Sequence, residues 1–184
     1  MKAFINIDYT VDFVADNGAL TCGEAGQAIG DRLAELTKQF VQAGDFTVMA
    51  IDLHFADDVH HPEYRLYPPH NIKGAPGREL YGAVREVYET HRSSIMWLDK
   101  TRYSAFCNTG LADELRKRSI TEVHLGGVCT DICVLHTAVD AYNLGFTVVI
   151  HEDAVASFDP VGHTWALNHF KNALGFTVVH SSNR

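Results

Sequence analysis

Six short apolar runs, each separated from the next by polar or helix-patterned sequence, constrain this chain more than any other feature. The runs are AFINI (3–7), FTVMAI (46–51), SIMWL (94–98), EVHLGG (122–127), FTVVI (146–150) and FTVVH (176–180). Near-continuous apolar runs fit strands buried on both faces of a parallel sheet. Residues 24–42 place Ala25, Ala28, Ile29, Leu33, Leu36 and Phe40 on one helical stripe, which Gly44 ends. Leu111 and Leu115 mark a helix over 111–118. Leu135, Ala138, Val139 and Tyr142 mark one over 131–144, closed by Gly145. Trp165, Ala166, Phe170, Ala173 and Leu174 mark one over 163–174, closed by Gly175. The alternation predicts an open, doubly wound α/β fold of three layers: a mostly parallel six-stranded sheet with helices on both faces. At 184 residues and 46% hydrophobic, the chain is long enough for one well-filled core and short for two, so a single domain over 1–184 is expected.

The net charge of −8 argues against a nucleic-acid surface, which needs a basic face, and fits a small-molecule partner. No apolar run approaches the ~20 residues of a membrane helix. The opening MKAFINID meets a charge too early for a secretion signal. Four cysteines, Cys22, Cys107, Cys129 and Cys133, are too few for a disulfide scaffold and suit free thiols in a reducing compartment, here the cytoplasm. A homo-oligomer is compatible with the sequence.

Ligands of doubly wound sheets bind beyond the carboxyl ends of the strands. Strand one leaves at Asp8, strand two at Asp52, strand three at Asp99-Lys100, and strand four runs into GGVCTDIC. A carboxylate, an ammonium and a thiol thus reach one edge of the sheet, the ingredients of an activated nucleophile. Thr130 or Asp131 is placed to cap the following helix, with Cys133 in its first turn, where the helix dipole and a nearby lysine lower a thiol pKa. Asp131 is expected to point away from the sulfur. Asp8 is placed to take the thiol proton and return it to a leaving amine. The backbone N–H groups of Cys129 and Cys133 flank the turn where an oxyanion would develop. On this reading Cys129 contributes its amide and its side chain is incidental.

A second constellation lies in the long, proline-rich loop after strand two, at about 52–77. Asp52 and His54 share one strand face, and Glu63 and His70 follow. Oxygen and imidazole ligands suit one divalent metal: zinc, or alternatively iron or manganese. His60 and His61 are rival ligands that spacing does not exclude.

With these residues in place, the sequence resembles the isochorismatase-like cysteine hydrolases, and among them the nicotinamidases. IDYTVDF, DLH, HPE, YPPH, DKTRYSAF, GVCTDICV, HTAVDAYNLG and HFKN fall in family order along nearly the whole chain. The resemblance implies hydrolysis of nicotinamide to nicotinate and ammonia; NAD salvage and removal of nicotinamide both stand as its purpose, and pyrazinamide stands as a further substrate. It implies that Cys133 attacks the amide carbon to form a thioester, that Asp8 shuttles protons and that Lys100 stabilises both. It implies a metal on Asp52, His54 and His70, with Glu63 binding directly or through water. It further implies a pocket walled by Phe13, Tyr67 and Tyr103, and a cis bond at Val128–Cys129. Two alternatives stand beside it: the same chemistry on another small carboxamide, and a non-catalytic metal-binding domain. Relatives acting on carbamoyl compounds typically lack the D-x-H pair, and the vinyl-ether hydrolases lack the cysteine.

Overall fold

The computed structural model describes residues 1–180; the last four residues of the expected domain lie outside the described residues. The chain runs β1 (Ala3–Ile7), α1 (Val11–Val14), α2 (Gly23–Ala28), α3 (Gly30–Gln42), β2 (Phe46–Asp52), α4 (Gly82–His91), β3 (Ile95–Lys100), α5 (Leu111–Lys117), β4 (Glu122–Val128), α6 (Leu135–Asn143), β5 (Thr147–Ala156), α7 (Pro160–Asn172) and β6 (Thr177–Val179). The strands form one sheet in the order β3-β2-β1-β4-β5-β6, and every pairing is parallel. β1 is wholly buried between β2 and β4, as its uninterrupted apolar run requires.

Two apolar cores flank the sheet. On one face Ala3, Ile5 and Ile7 meet Leu111, Leu115, Ala138 and Phe170 from α5, α6 and α7. On the other Phe4, Met49 and Ile51 meet Leu33, Leu36 and Val84 from α3 and α4. Asn6, the polar residue inside β1, donates from Nδ2 to the Thr37 hydroxyl of α3, so burial leaves its amide nitrogen partnered.

Four elements depart from the sequence reading. The stripe over 24–42 is two helices broken at Ile29, and Ala25 and Ala28 are exposed rather than core. Helix α4, which no stripe had marked, follows the long loop. Strand β5 extends to Ala156, six residues past its apolar run. Its polar stretch is accommodated because His151 pairs with His124 of β4 at 2.9 Å and Asp153 with Arg32 of α3 at 2.9 Å. The fourth departure is at the helix after β4. It opens with one π turn, Thr130–Val134, before α6 starts. That turn shifts the phase of the helix, so Thr137, Ala138 and Ala141 face the core and Tyr142 is exposed.

Candidate active site

The parallel register brings the strand ends level. Ile7 sits beside Ala50 and Gly127, and Asp52 beside Lys100. Side chains leaving β1, β2, β3 and β4 therefore open onto one edge of the sheet.

Asp8 follows β1 with φ at 57°, left-handed backbone that is costly for a residue other than glycine. Hydrogen bonds hold it there: its N–H donates to the Ala50 carbonyl at 3.1 Å, and its Oδ1 accepts from the Asp52 N–H at 2.8 Å. Its Oδ2 lies 2.7 Å from Lys100 Nζ, both groups fully buried. Lys100 Nζ also stands 3.7 Å from Cys133 Sγ and 3.6 Å from Asp52 Oδ1. Burial, opposed by the Lys100 ammonium, pushes the Asp8 carboxyl up to about 6. Burial acts against the Lys100 charge, yet Asp52 and Asp8 outweigh it and hold the ammonium above its ordinary value.

The thiol departs from expectation. Burial pushes Cys133 well above the usual cysteine value, Lys100 pulls against this, and Asp8 and Asp52 add to it. Neither Thr130 nor Asp131 caps the turn. The position belongs to Cys129, whose side chain makes no cap bond. Thr130 Oγ1 instead pairs with His163 Nδ1 at 2.8 Å, and Asp131 Oδ1 accepts from the Ser157 hydroxyl at 2.6 Å, so Asp131 is engaged away from the sulfur. Upstream, Val128–Cys129 is a cis peptide bond. Gly127 has φ at 119°, and a side chain there would overlap the Ile7 carbonyl oxygen, so the close approach of β4 to β1 at this level needs glycine.

Beside this triad stand Asp52, His54, Glu63 and His70, all buried, with one ligand atom from each lying within 4.8 Å of the others. His54 Nε2 is 2.6 Å from Asp52 Oδ2. His70 donates from Nδ1 to the Pro68 carbonyl at 2.8 Å, because a carbonyl only accepts. Its buried Nε2 has no hydrogen-bond partner and faces Glu63 Oε2 at 3.4 Å and Asp52 Oδ2 at 3.6 Å. A bare lone pair cannot sit against two carboxylates, so the position calls for a cation: a metal, or in its absence a second ring proton. The four residues thus fit a divalent metal. His61 is not among them. Its Nε2 pairs with the Thr101 carbonyl at 2.9 Å and its Nδ1 accepts from the Glu63 N–H at 3.2 Å, which starts a 3₁₀ turn that presents Glu63. His60 is exposed.

A cleft joins the two groups. Phe13, Tyr67 and Tyr103 line it together with Asp52, Glu63, Cys129 and Cys133. The Phe13 ring lies 5.5 Å from the His70 ring, and Tyr67 lies 6.2 Å from it. The sequence reading missed Leu20, Ile132 and Phe158, which also line this cleft. The signal for Phe158 is its place just past the carboxyl end of β5, but the apolar run stops six residues before the strand does.

A model of the isochorismatase domain family matches residues 2–183. This chain belongs to the isochorismatase family. Among solved structures of similar proteins, the nicotinamidase/pyrazinamidase PncA of Bacillus subtilis is 58% identical, with a TM-score of 0.95, covering 97% of this chain and all of that one. The pyrazinamidase/nicotinamidase of Streptococcus mutans is 50% identical, with a TM-score of 0.95 over 97% of this chain and 100% of that one. The pyrazinamidase of Pyrococcus horikoshii, solved in complex with zinc, is 29% identical, with a TM-score of 0.86 over 97% of this chain and 98% of that one. This isochorismatase-family chain therefore spans nearly the full length of these three relatives.

Proposed function

We propose that this protein is a metal-dependent cysteine amidohydrolase that converts nicotinamide and water to nicotinate and ammonia. The observation that carries this reading is the convergence of Cys133, Asp8, Lys100 and a four-residue metal-ligand group on one largely apolar cleft. Likeness to a nicotinamidase/pyrazinamidase at 58% identity supports it, and pyrazinamide is proposed as a second substrate. Residues 52–77 serve as the metal-binding loop of the domain, with zinc the favoured metal and iron or manganese as alternatives. A cytoplasmic location and a role in NAD salvage complete the reading.

Asp52, His54, Glu63 and His70 would hold the metal, which supplies a Lewis acid for the pyridine nitrogen and so fixes the ring. Phe13, Tyr67 and Tyr103 present aromatic faces and edges to that flat ring. Because burial keeps the Cys133 thiol protonated, attack needs a base, and Asp8 takes the proton as sulfur adds to the amide carbon. The backbone N–H groups of Cys129 and Cys133 receive the oxyanion. Asp8 returns its proton to the amine, ammonia leaves, and a thioester remains on Cys133. Water then attacks the thioester, with Asp8 taking its proton and returning it to the departing sulfur. Throughout, the Lys100 ammonium compensates whichever of Asp8 and Cys133 carries negative charge.

The test is ammonia release from nicotinamide by the purified protein, with and without a strong chelator, beside Cys133→Ala. Release that requires both the metal and the thiol is expected. No release from folded, metal-loaded protein would transfer the reading to another small carboxamide, to be found by screening a panel of them.

A further inference from the structure

Cys22 and Cys129 are two thiols that the chemistry above does not use, and their Sγ atoms lie 3.3 Å apart in the protein interior. That is about 1.3 Å beyond the ~2.05 Å of a disulfide bond, so small side-chain movements would join them. They belong to two segments that both contribute to the cleft lining. Cys129 lines it directly, beside Ile132 and Cys133. Cys22 closes the segment that supplies Phe13 and Leu20. Its N–H donates to the Phe13 carbonyl at 2.8 Å, and the Leu20 N–H donates to the Asp12 carbonyl at 2.9 Å. Any bond between the two sulfurs ties the Phe13–Leu20 wall to the turn that carries the nucleophile.

We propose that Cys22 and Cys129 are an oxidisable pair, and that their disulfide narrows the substrate cleft and suspends ring binding. The oxidant is hydrogen peroxide, small enough to enter where Cys129 meets the cleft. Cys129 sulfur attacks the peroxide O–O bond, giving a sulfenic acid and water. The Cys22 thiol then attacks that sulfur, forming the S–S bond and releasing a second water. The two thiols lose two electrons and the peroxide gains them. The neighbouring Cys22 thiol and burial push the Cys129 thiol above its ordinary value, which slows the first step. A dithiol reductant reverses the change. The effect on turnover rests on the function proposed above; the existence of the bond does not.

The experiment uses zinc-loaded Cys133→Ala protein, which removes the competing thiol. The protein is treated with hydrogen peroxide, mapped by mass spectrometry of unreduced peptides, and titrated with nicotinamide before and after. The expected result is a Cys22–Cys129 linked peptide, an affinity reduced by about tenfold, and recovery with dithiothreitol. The Cys22→Ser/Cys133→Ala double variant is expected to bind nicotinamide as well as Cys133→Ala before peroxide and to give no linked peptide after it. The proposal is overturned if Cys22 and Cys129 stay free, if Cys129 ends as a sulfinic acid, or if the linked protein binds as before. A reduced protein that never binds nicotinamide would count against the function, while the peptide map would still decide the pair.

Discussion

Lys100 is a fully buried ammonium held by Asp8 at 2.7 Å and Asp52 at 3.6 Å, with no exposed surface to relieve it. Removing one member of such a group leaves the others uncompensated in a dry site, at a cost of ~3–5 kcal/mol. Lys100→Met is therefore expected to lower the stability of the metal-free protein by about that amount, and Asp8→Asn in the same chain to restore a large part of it. Urea unfolding of the single and double variants checks this, and equal midpoints for the two would refute it. At this scale the sequence was informative because chemistry follows strand ends: Asp8, Asp52 and Lys100 each sit where an apolar run stops. It was silent where a side chain chooses between partners. Nothing in the spacing of His61 showed that both its nitrogens are engaged by backbone, or in that of Cys129 that its sulfur meets the sulfur of Cys22.

The elements follow the same logic with larger exceptions. All six strands were legible, because a strand buried on both faces has little choice but to be apolar. The far half of β5 was not, because His151 and Asp153 find their partners on β4 and α3, far away in sequence. The helix after β4 was legible as a helix but out of phase, since one π turn inserts ahead of α6 and rotates the following face. That shift makes opposite demands on neighbouring residues. Ala141 is fully buried and Tyr142 is half exposed. Ala141→Leu is expected to overpack the core and cost ~1–3 kcal/mol, whereas Tyr142→Ser should stay within about 0.5 kcal/mol of the parent. Thermal unfolding of the two variants separates these outcomes, and the reverse ranking would return the helix to the phase its sequence stripe suggests.

Over the whole molecule, the fold rests on the two cores either side of the sheet, while the four candidate metal ligands hang on β2 and the loop that follows it. Metal bound to the folded state alone adds stability by mass action, about 2.7 kcal/mol at a hundredfold excess over Kd. Stripped protein is expected to unfold cooperatively at a lower temperature, with the midpoint rising as zinc is added back, and His54→Ala is expected to lose that rise. A wild-type midpoint indifferent to zinc would contradict this. The parallel sheet has one further consequence. Every strand of it points its carboxyl end at the cleft, so the beginning of β1, where Lys2 pairs with Glu122 at 2.8 Å, lies at the opposite edge. The five residues of β1 put roughly 17 Å of strand between that edge and Asp8. A fusion partner or solid support attached at residue 1 would sit behind the sheet, with the cleft facing open solution.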